Sequence, residues 1–356
     1  MLWCYVMGIP KYSQIAVELL RRIRSGVYQD KLPPMRELAC EFDSAMQTVF
    51  NAVQLLVRKE LLVPCGSGGM NIDRSKLPCG LIAIVMHNAM LPRVAAFEPL
   101  AQSISDDGFL PVYLGVLRKQ SLYTAKKLFQ ADISGVMFFY STINPEYCEV
   151  LDSQKIPYVS ANILHGVQHV NFVESNTFDA IEDLVKMLHV KGYRRIAINI
   201  NSPLEGYIRY FNTRWRKILK KYNMIYSSYN SLCEAAPLQG ECESWDDIVA
   251  EPLPDKGVLP EAVINWNSSG IRCIKQYQGT GVLQVLNTYT VKEEYIPENA
   301  VSFKTITDKN QQWQELWNLL LSMLMGGGGK AVHHFLDNIN LCMYDEIPNI
   351  KEQVKK

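Results

Sequence analysis

Residues 12–72 read YSQIAVELLRRIRSGVYQDKLPPMRELACEFDSAMQTVFNAVQLLVRKELLVPCGSGGMNI. Ile15, Leu19 and Ile23 recur every four residues with Glu18, Arg21, Arg22 and Arg24 off that face, a spacing that predicts an amphipathic helix. Gly26 ends it, because glycine tolerates the left-handed cap conformation. Pro33 and Pro34 block continuation and open a second helix carrying Leu38, Ala39 and Phe42. A turn at Asp43-Ser44 starts a third helix, where Ser44 followed by Gln47 fits a capping box. Val49, Val53 and Leu56 make its inner stripe, while Gln47, Asn51, Gln54 and Arg58 share its polar face. Leu61-Leu62-Val63 reads as a strand, Gly66-Ser67-Gly68-Gly69 as a tight tip, and Met70-Asn71-Ile72 as the return strand.

Three helices closed by a hairpin are the layout of a winged helix-turn-helix, which sets its third helix in the DNA major groove. Tyr12, Gln14, Ile15, Ile23 and Gly26 lead into Lys31-Leu32-Pro33 and Arg36-Glu37-Leu38-Ala39; Thr48-Val49, Ala52, Leu61-Leu62 and Gly68-Gly69 follow. On these residues the segment resembles the N-terminal DNA-binding domain of the GntR family. The resemblance implies that Arg36 touches phosphate and base edges and that Thr48 lies at the DNA. Two positions usually occupied by arginine in the third helix are Met46 and Phe50 here. The candidate DNA-contacting residues are Arg36 on the second helix, then Ser44, Gln47, Thr48, Asn51 and Arg58 on the third. Ser67 and Gly68 complete the set at the hairpin tip.

A chain of 356 residues is comfortable for two or three domains and long enough to bury a sizeable core. Its formal net charge is zero, and residues 1–75 hold nine Lys/Arg against seven Asp/Glu. Affinity for nucleic acid then rests on local placement of cations and on two linked heads in a homodimer rather than on bulk charge. Nine cysteines stand singly with no CxxC pair, which argues against a zinc site or disulfide framework and for a reducing cytoplasm. The opening MLWCYVMGIP lacks the basic leader of a signal peptide, and no stretch reaches the roughly eighteen apolar residues of a membrane span.

Residues 73–79, DRSKLPC, interrupt the pattern as a linker, so the expected division is a head over 1–75, a linker over 76–80 and a body over 81–356. From Leu81 onward apolar strands alternate with amphipathic helices. Strands are expected at Leu81–Met86, Leu110–Leu114, Gly135–Phe139 and Pro157–Ser160, with helices near 97–104, 121–130 and 146–153. A second series runs from Val170–Val173 through helix 177–190, strand Arg195–Ile198, helix 208–222, strand Ala262–Ile264, helix 269–277 and strand Val282–Leu286. Such alternation predicts an α/β body with parallel sheets covered on both faces. Ala131-Asp132-Ile133-Ser134-Gly135-Val136, Lys155-Ile156-Pro157-Tyr158-Val159, Leu188-His189-Val190-Lys191-Gly192-Tyr193-Arg194-Arg195-Ile196-Ala197 and Ala262-Val263-Ile264-Asn265-Trp266-Asn267 carry a second resemblance. They are similar to motifs of the LacI family effector domain, which implies a two-lobed periplasmic-binding-protein-like fold over about residues 80–345.

Ligands of such sheets bind outside the carboxyl ends of the strands, and the expected place is the crevice between residues 80–160 and 162–286. The candidates are His87, Asn88 and Asn162, followed by Asn176, Arg209, Trp266, Asn267 and Asn287. Asparagine amides both donate to and accept from sugar hydroxyls, and an indole face stacks on a sugar ring. Gly326-Gly327-Gly328-Gly329-Lys330 lacks the Ser/Thr of a phosphate loop, since Ala331 follows, and His165 and His169 lack the glutamate of a metalloprotease pair. No nucleophile and base are visible by spacing, so no enzyme, metal or cofactor is expected. The expectation is a ligand-responsive repressor of carbohydrate-use genes, with an operator duplex and a sugar as partners. The alternative is a sugar-binding sensor whose head is degenerate or contacts protein.

Overall fold

The computed structural model describes residues 9–66, 69–116, 133–139, 142–162, 169–200, 205–224, 231–234, 258–266, 271–287, 296–297, 299–327, 331–336 and 339–350. Its chain forms two compact units, one of Met1–Glu174 with Lys309–Leu336, the other of Ser175–Asp308 with Asp337–Lys356.

The first unit begins with α1 (Lys11–Arg24), α2 (Met35–Glu41), α3 (Met46–Arg58) and the antiparallel hairpin β1 (Leu62–Cys65) and β2 (Gly69–Ile72). Ile15, Leu19 and Ile23 of α1 are buried with Leu38 of α2 and Val49, Val53 and Leu56 of α3, which is the apolar stripe that the spacing marks out. Gly26 follows α1 at φ 82°, a left-handed geometry that a side chain would strain. The hairpin pairs Leu62 with Ile72 and Cys65 with Gly69; Ser67 and Gly68 lie outside the described residues.

One local expectation is corrected here. Ser44 does not cap α3, whose N-cap is Ala45 with no side-chain hydrogen bond. The Ser44 hydroxyl is buried without a partner among the described residues, and Gln47 instead donates to Asn51 Oδ1 at 3.0 Å. The helix starts one residue later than the capping box requires, because Ser44 is held in the preceding turn, its N–H donating to the Ala39 carbonyl. The segment expected as a linker makes hydrogen bonds to the head. Asp73 caps a short turn at Arg74–Lys76, the Arg74 side chain donates to the Tyr28 carbonyl, and Arg24 donates to the Pro78 carbonyl.

The first sheet is built from β3 (Gly80–His87), β4 (Phe109–Val116), β5 (Ile133–Phe138), β6 (Tyr158–Ser160) and β7 (Asn171–Ser175), with helices α4 (Glu98–Asp106) and α5 (Pro145–Gln154). Neighbouring strands in the order β4-β3-β5-β6-β7 run parallel. Asn144 caps α5 by accepting the Tyr147 N–H, and Lys155 ends it at φ 58°. The helix expected near 121–130 falls outside the described residues.

The second unit carries α6 (Thr177–Val190), β8 (Ile196–Ile200), α7 (Glu205–Lys221), β9 (Leu232–Glu234), β10 (Ala262–Asn265), α8 (Ile271–Gln276), β11 (Leu283–Asn287) and β12 (Ala300–Thr307). Every residue of β8, β10 and β11 is buried, as expected of strands covered on both faces. Trp215 of α7 is buried and donates its indole N–H to the Ser231 carbonyl at 2.9 Å.

After β12 the chain returns to the first unit as α9 (Lys309–Leu324) and β13 (His333–Leu336), then crosses back for β14 (Ile339–Met343). The sheet of the second unit runs β14-β12-β11-β10-β8-β9, with only β14 antiparallel to its neighbour. The first sheet gains β13 beside β7. The sequence reading treats the second series as continuous and does not anticipate this return. Trp313, Leu316, Trp317 and Leu320 of α9 are buried, and the helix packs on α4, β5 and β6 as well as on α1. Each such side chain contributes roughly 1.5–3 kcal/mol of burial. The three-helix head thereby belongs to the same compact unit as the first sheet.

Candidate functional site

In each sheet the strand order reverses beside one strand. β3 lies between β4 and β5, and β8 lies between β9 and β10, with the later strands added on one side only. Open α/β sheets bind ligands outside their carboxyl edge at such a reversal, where neighbouring connections leave in opposite directions.

In the first unit β3 ends at His87 and β5 leads into Phe139. Phe139, Ala161, Asn162, Lys309, Gln312 and Trp313 line a cavity of about 80 Å³ there. Gln312 Nε2 donates to the Ala161 carbonyl at 3.0 Å and the Val173 carbonyl at 2.8 Å, tying α9 to the chain after β6 and to β7. Trp313 stacks on Phe97 with centroids 4.3 Å apart and meets Phe139 edge-on. The cavity thus has an aromatic wall and an amide rim.

In the second unit a row of side-chain amides crosses the sheet. Asn199 of β8 donates to Asn265 of β10 at 3.1 Å, Asn265 donates to Gln284 of β11 at 3.4 Å, and Gln284 donates to the Ile274 carbonyl of α8 at 3.0 Å. All three amides are fully buried, yet Asn199 Oδ1 has no hydrogen-bond partner among the described residues. A buried acceptor left unpaired costs about 1–3 kcal/mol, and a hydroxyl donor would satisfy it. Half-buried Trp266 follows Asn265 directly. Asn287 is buried, and its Nδ2 lies 3.2 Å from both the Trp266 carbonyl and Thr305 Oγ1, so it fixes the backbone beside the indole.

The expected ligand residues therefore divide. Asn162 lines the first cavity, and Trp266 with Asn287 stands beside the amide row. Asn176 follows β7, where its amide bonds the Asp179 carboxylate without capping α6 by its side chain. Arg209 is exposed on α7. Only the backbone of His87 and Asn88 is described, and Asn267 and His165 lie outside the described residues. His169 is exposed and pairs with Asp152 at 3.2 Å. Asn199, Asn265, Gln284, Gln312 and Trp313 were missed. The signal for the first two was present, an asparagine inside each of the apolar runs IAINI and AVIN.

On the head, the outward side of α3 presents Gln47, Asn51 and Arg58 to solvent with Thr48 half-buried. Met46 and Phe50 stand among them at 50% and 45% exposure. Arg36 is exposed at the start of α2. Where the head meets the first sheet, Arg21 clasps Asp107 with bonds of 3.0, 3.2 and 2.8 Å and also donates to Asn318. Buried Trp317 donates to the same carboxylate at 2.8 Å. Among the described residues no cluster of three His, Cys, Asp or Glu could hold a metal ion, and no helix is long and apolar enough to cross a membrane.

No protein-family description matches this chain, and no curated protein matches it. Its fold is similar to that of solved transcription regulators. CcpA of Lactococcus lactis shares 10% identity over 74% of this chain and 98% of its own, with a TM-score of 0.56. The regulator CelR in complex with cellobiose shares 16% over 92% and 98%, with a TM-score of 0.55. A LacI family regulator from Enterococcus faecalis with bound ribose shares 11% over 76% and 99%, with a TM-score of 0.53. At these identities the likeness is one of fold: an α/β chain with parallel sheets in the periplasmic-binding-protein-like class.

Proposed function

We propose that this chain is a sugar-responsive transcriptional repressor with a GntR-type winged helix at its N-terminus and a LacI-like sensor as its body. The observation that carries the reading is the occurrence, in one chain, of two chemistries. One is a hairpin-closed three-helix head with an exposed polar face on α3. The other is a pair of strand-order reversals edged by amides and indoles, among them the unpaired acceptor Asn199 Oδ1. Amides that donate and accept, beside an aromatic face, suit a polyhydroxylated ring. That two regulators of similar fold hold cellobiose and ribose supports the same ligand class here.

Coupling between effector and DNA runs along α9 in this reading. Lys309, Gln312 and Trp313 face the first cavity, and Trp317 and Asn318, one turn further on, hold the clasp to Arg21 of the head. A ligand that shifts α9 also shifts the head, and the resulting change in DNA affinity is mirrored in sugar affinity. The chain acts as a homodimer, because a nearly neutral head gains its grip by being paired.

A thermal-shift series with mono- and disaccharides, followed by a gel shift on the DNA upstream of the chain's own gene, tests both halves. The expected result is stabilisation by at least one sugar and a retarded band that the same sugar weakens. Stabilisation only by amino acids or nucleobases refutes the sugar class. Sugar binding without any duplex affinity supports a second reading, a sensor whose head contacts protein, for which exposed Met46 and Phe50 are the motive.

A further inference from the structure

We infer that the head selects half-sites whose core is A·T, read by a preset Gln47–Asn51 pair, with Met46 and Phe50 against thymine methyl groups. This rests on the DNA-reading role proposed above and adds the class of sequence. Three observations carry it.

The first is which donors α3 presents. In a helix docked in the major groove, the N-terminal turns reach the base edges. In α3 these turns hold Met46, Gln47, Phe50 and Asn51, all exposed, and the helix's single arginine is Arg58 in its last turn. The commonest way to read guanine is a bidentate arginine or lysine on O6 and N7. The leading turns of α3 have no such group.

The second is the state of the two amides. With Ala45 as N-cap, Gln47 is released from the helix start. Its Nε2 donates to Asn51 Oδ1 at 3.0 Å, one turn along the same face. That bond orients Asn51 before DNA arrives. Asn51 keeps both Nδ2 protons to donate and a second lone pair on Oδ1 to accept. Adenine offers the complement in the major groove, N7 as acceptor and N6–H as donor, on one edge. A cytosine offers only a donor there and a guanine only acceptors, so neither matches the amide as well.

The third is the apolar pair. Exposed methionine and phenylalanine side chains beside a polar reader are disfavoured in water, and the thymine methyl is the apolar group that the major groove provides. Met46 and Phe50 lie one turn apart, flanking Gln47 and Asn51, so an adenine read by Asn51 is followed or preceded by a step whose thymine the apolar pair covers.

The test selects bound duplexes from a random pool with the full-length protein, its Asn51→Ala variant and its Phe50→Arg variant. Circular dichroism checks each fold; both positions are exposed. The wild type is expected to enrich an A·T core. Asn51→Ala should lower affinity for that consensus about tenfold to a hundredfold and flatten the preference at one base pair, the range one bidentate contact supplies. Phe50→Arg should shift the adjoining position toward G·C. A G·C core for the wild type, or an unchanged consensus and affinity for Asn51→Ala, overturns the inference while leaving the DNA-reading head intact. Failure of the wild type to enrich any duplex overturns the head's role and this inference together.

Discussion

Replacing Asp107 tests how the head is held. Its side chain is 4% exposed and accepts three hydrogen bonds from Arg21 and one from the fully buried Trp317 indole. In Asp107→Ala the indole N–H stays buried without an acceptor, at about 1–3 kcal/mol. Arg21 is 31% exposed, so water recovers part of its loss and the severed charge pair costs nearer 1–2 kcal/mol than the roughly 3–5 of a fully buried one. The expected total is about 3 kcal/mol, or a drop of roughly 6–12 °C in the unfolding midpoint of a unit of this size. Arg21→Ala leaves a buried carboxylate with one indole donor and should cost a similar amount. The double variant should cost little more than either single one, an interaction energy of about 2 kcal/mol in a double-mutant cycle followed by thermal unfolding. Strictly additive single costs, or a loss below about 1 kcal/mol for Asp107→Ala, would refute the clasp as the element that unites head and sheet. In the same variant the sugar dependence of DNA binding should weaken, while sugar affinity itself persists.

Three further outcomes follow from the same geometry. Arg36→Ala should weaken DNA binding and lower the slope of log affinity against log salt by about one, with the fold unchanged; an unaltered slope removes Arg36 from the interface. Asn199→Ala should abolish most of the stabilisation given by an active sugar, since the buried acceptor is gone, and an undiminished shift excludes the amide row from the site. Burial pushes the Cys148 thiol from its ordinary 9.0 up to about 11, so iodoacetamide at pH 8 should modify exposed Cys40, Cys79 and Cys342 in the native protein and spare Cys148. The unfolded chain gives up that proton first, so this thiol's contribution to stability is complete below pH 9 and falls away between pH 9 and about 11; a native Cys148 labelled as fast as Cys40 contradicts its burial.

Much of the architecture was legible because its signals are local. Four-residue apolar spacing marks α1 and α3, paired prolines open α2, and Gly26 closes α1 at positive φ. The largely apolar, fully buried strands β8, β10 and β11, like the apolar run of β3, require cover on both faces, and the alternation with helices then dictates parallel strands. The cap of α3 was misread because a capping box is a statement about side-chain reach, and the turn at Ser44 decides that reach through a backbone bond to Ala39. The site was legible only in part. Asn162 and Trp266 could be chosen as polar or aromatic residues at strand ends, but the amide row depends on strand register, and register places Asn199 opposite Asn265 from 66 positions away.

What the sequence determined by itself is therefore the class of most elements up to β11, the two-sided burial of the sheets and the change from a helical head to an α/β body. Those follow from periodicity, caps and turns, which act over a few residues. What only the tertiary structure decided is which elements meet. α9 follows β12 of the second unit in sequence, yet its Trp313 faces the carboxyl edge of the first sheet and its Trp317 meets Asp107 and, through it, Arg21 of the head. No local pattern records that meeting, because Arg21, Asp107 and Trp317 are separated by more than eighty residues at each step and come together only through the packing of α9 against the head and the first sheet.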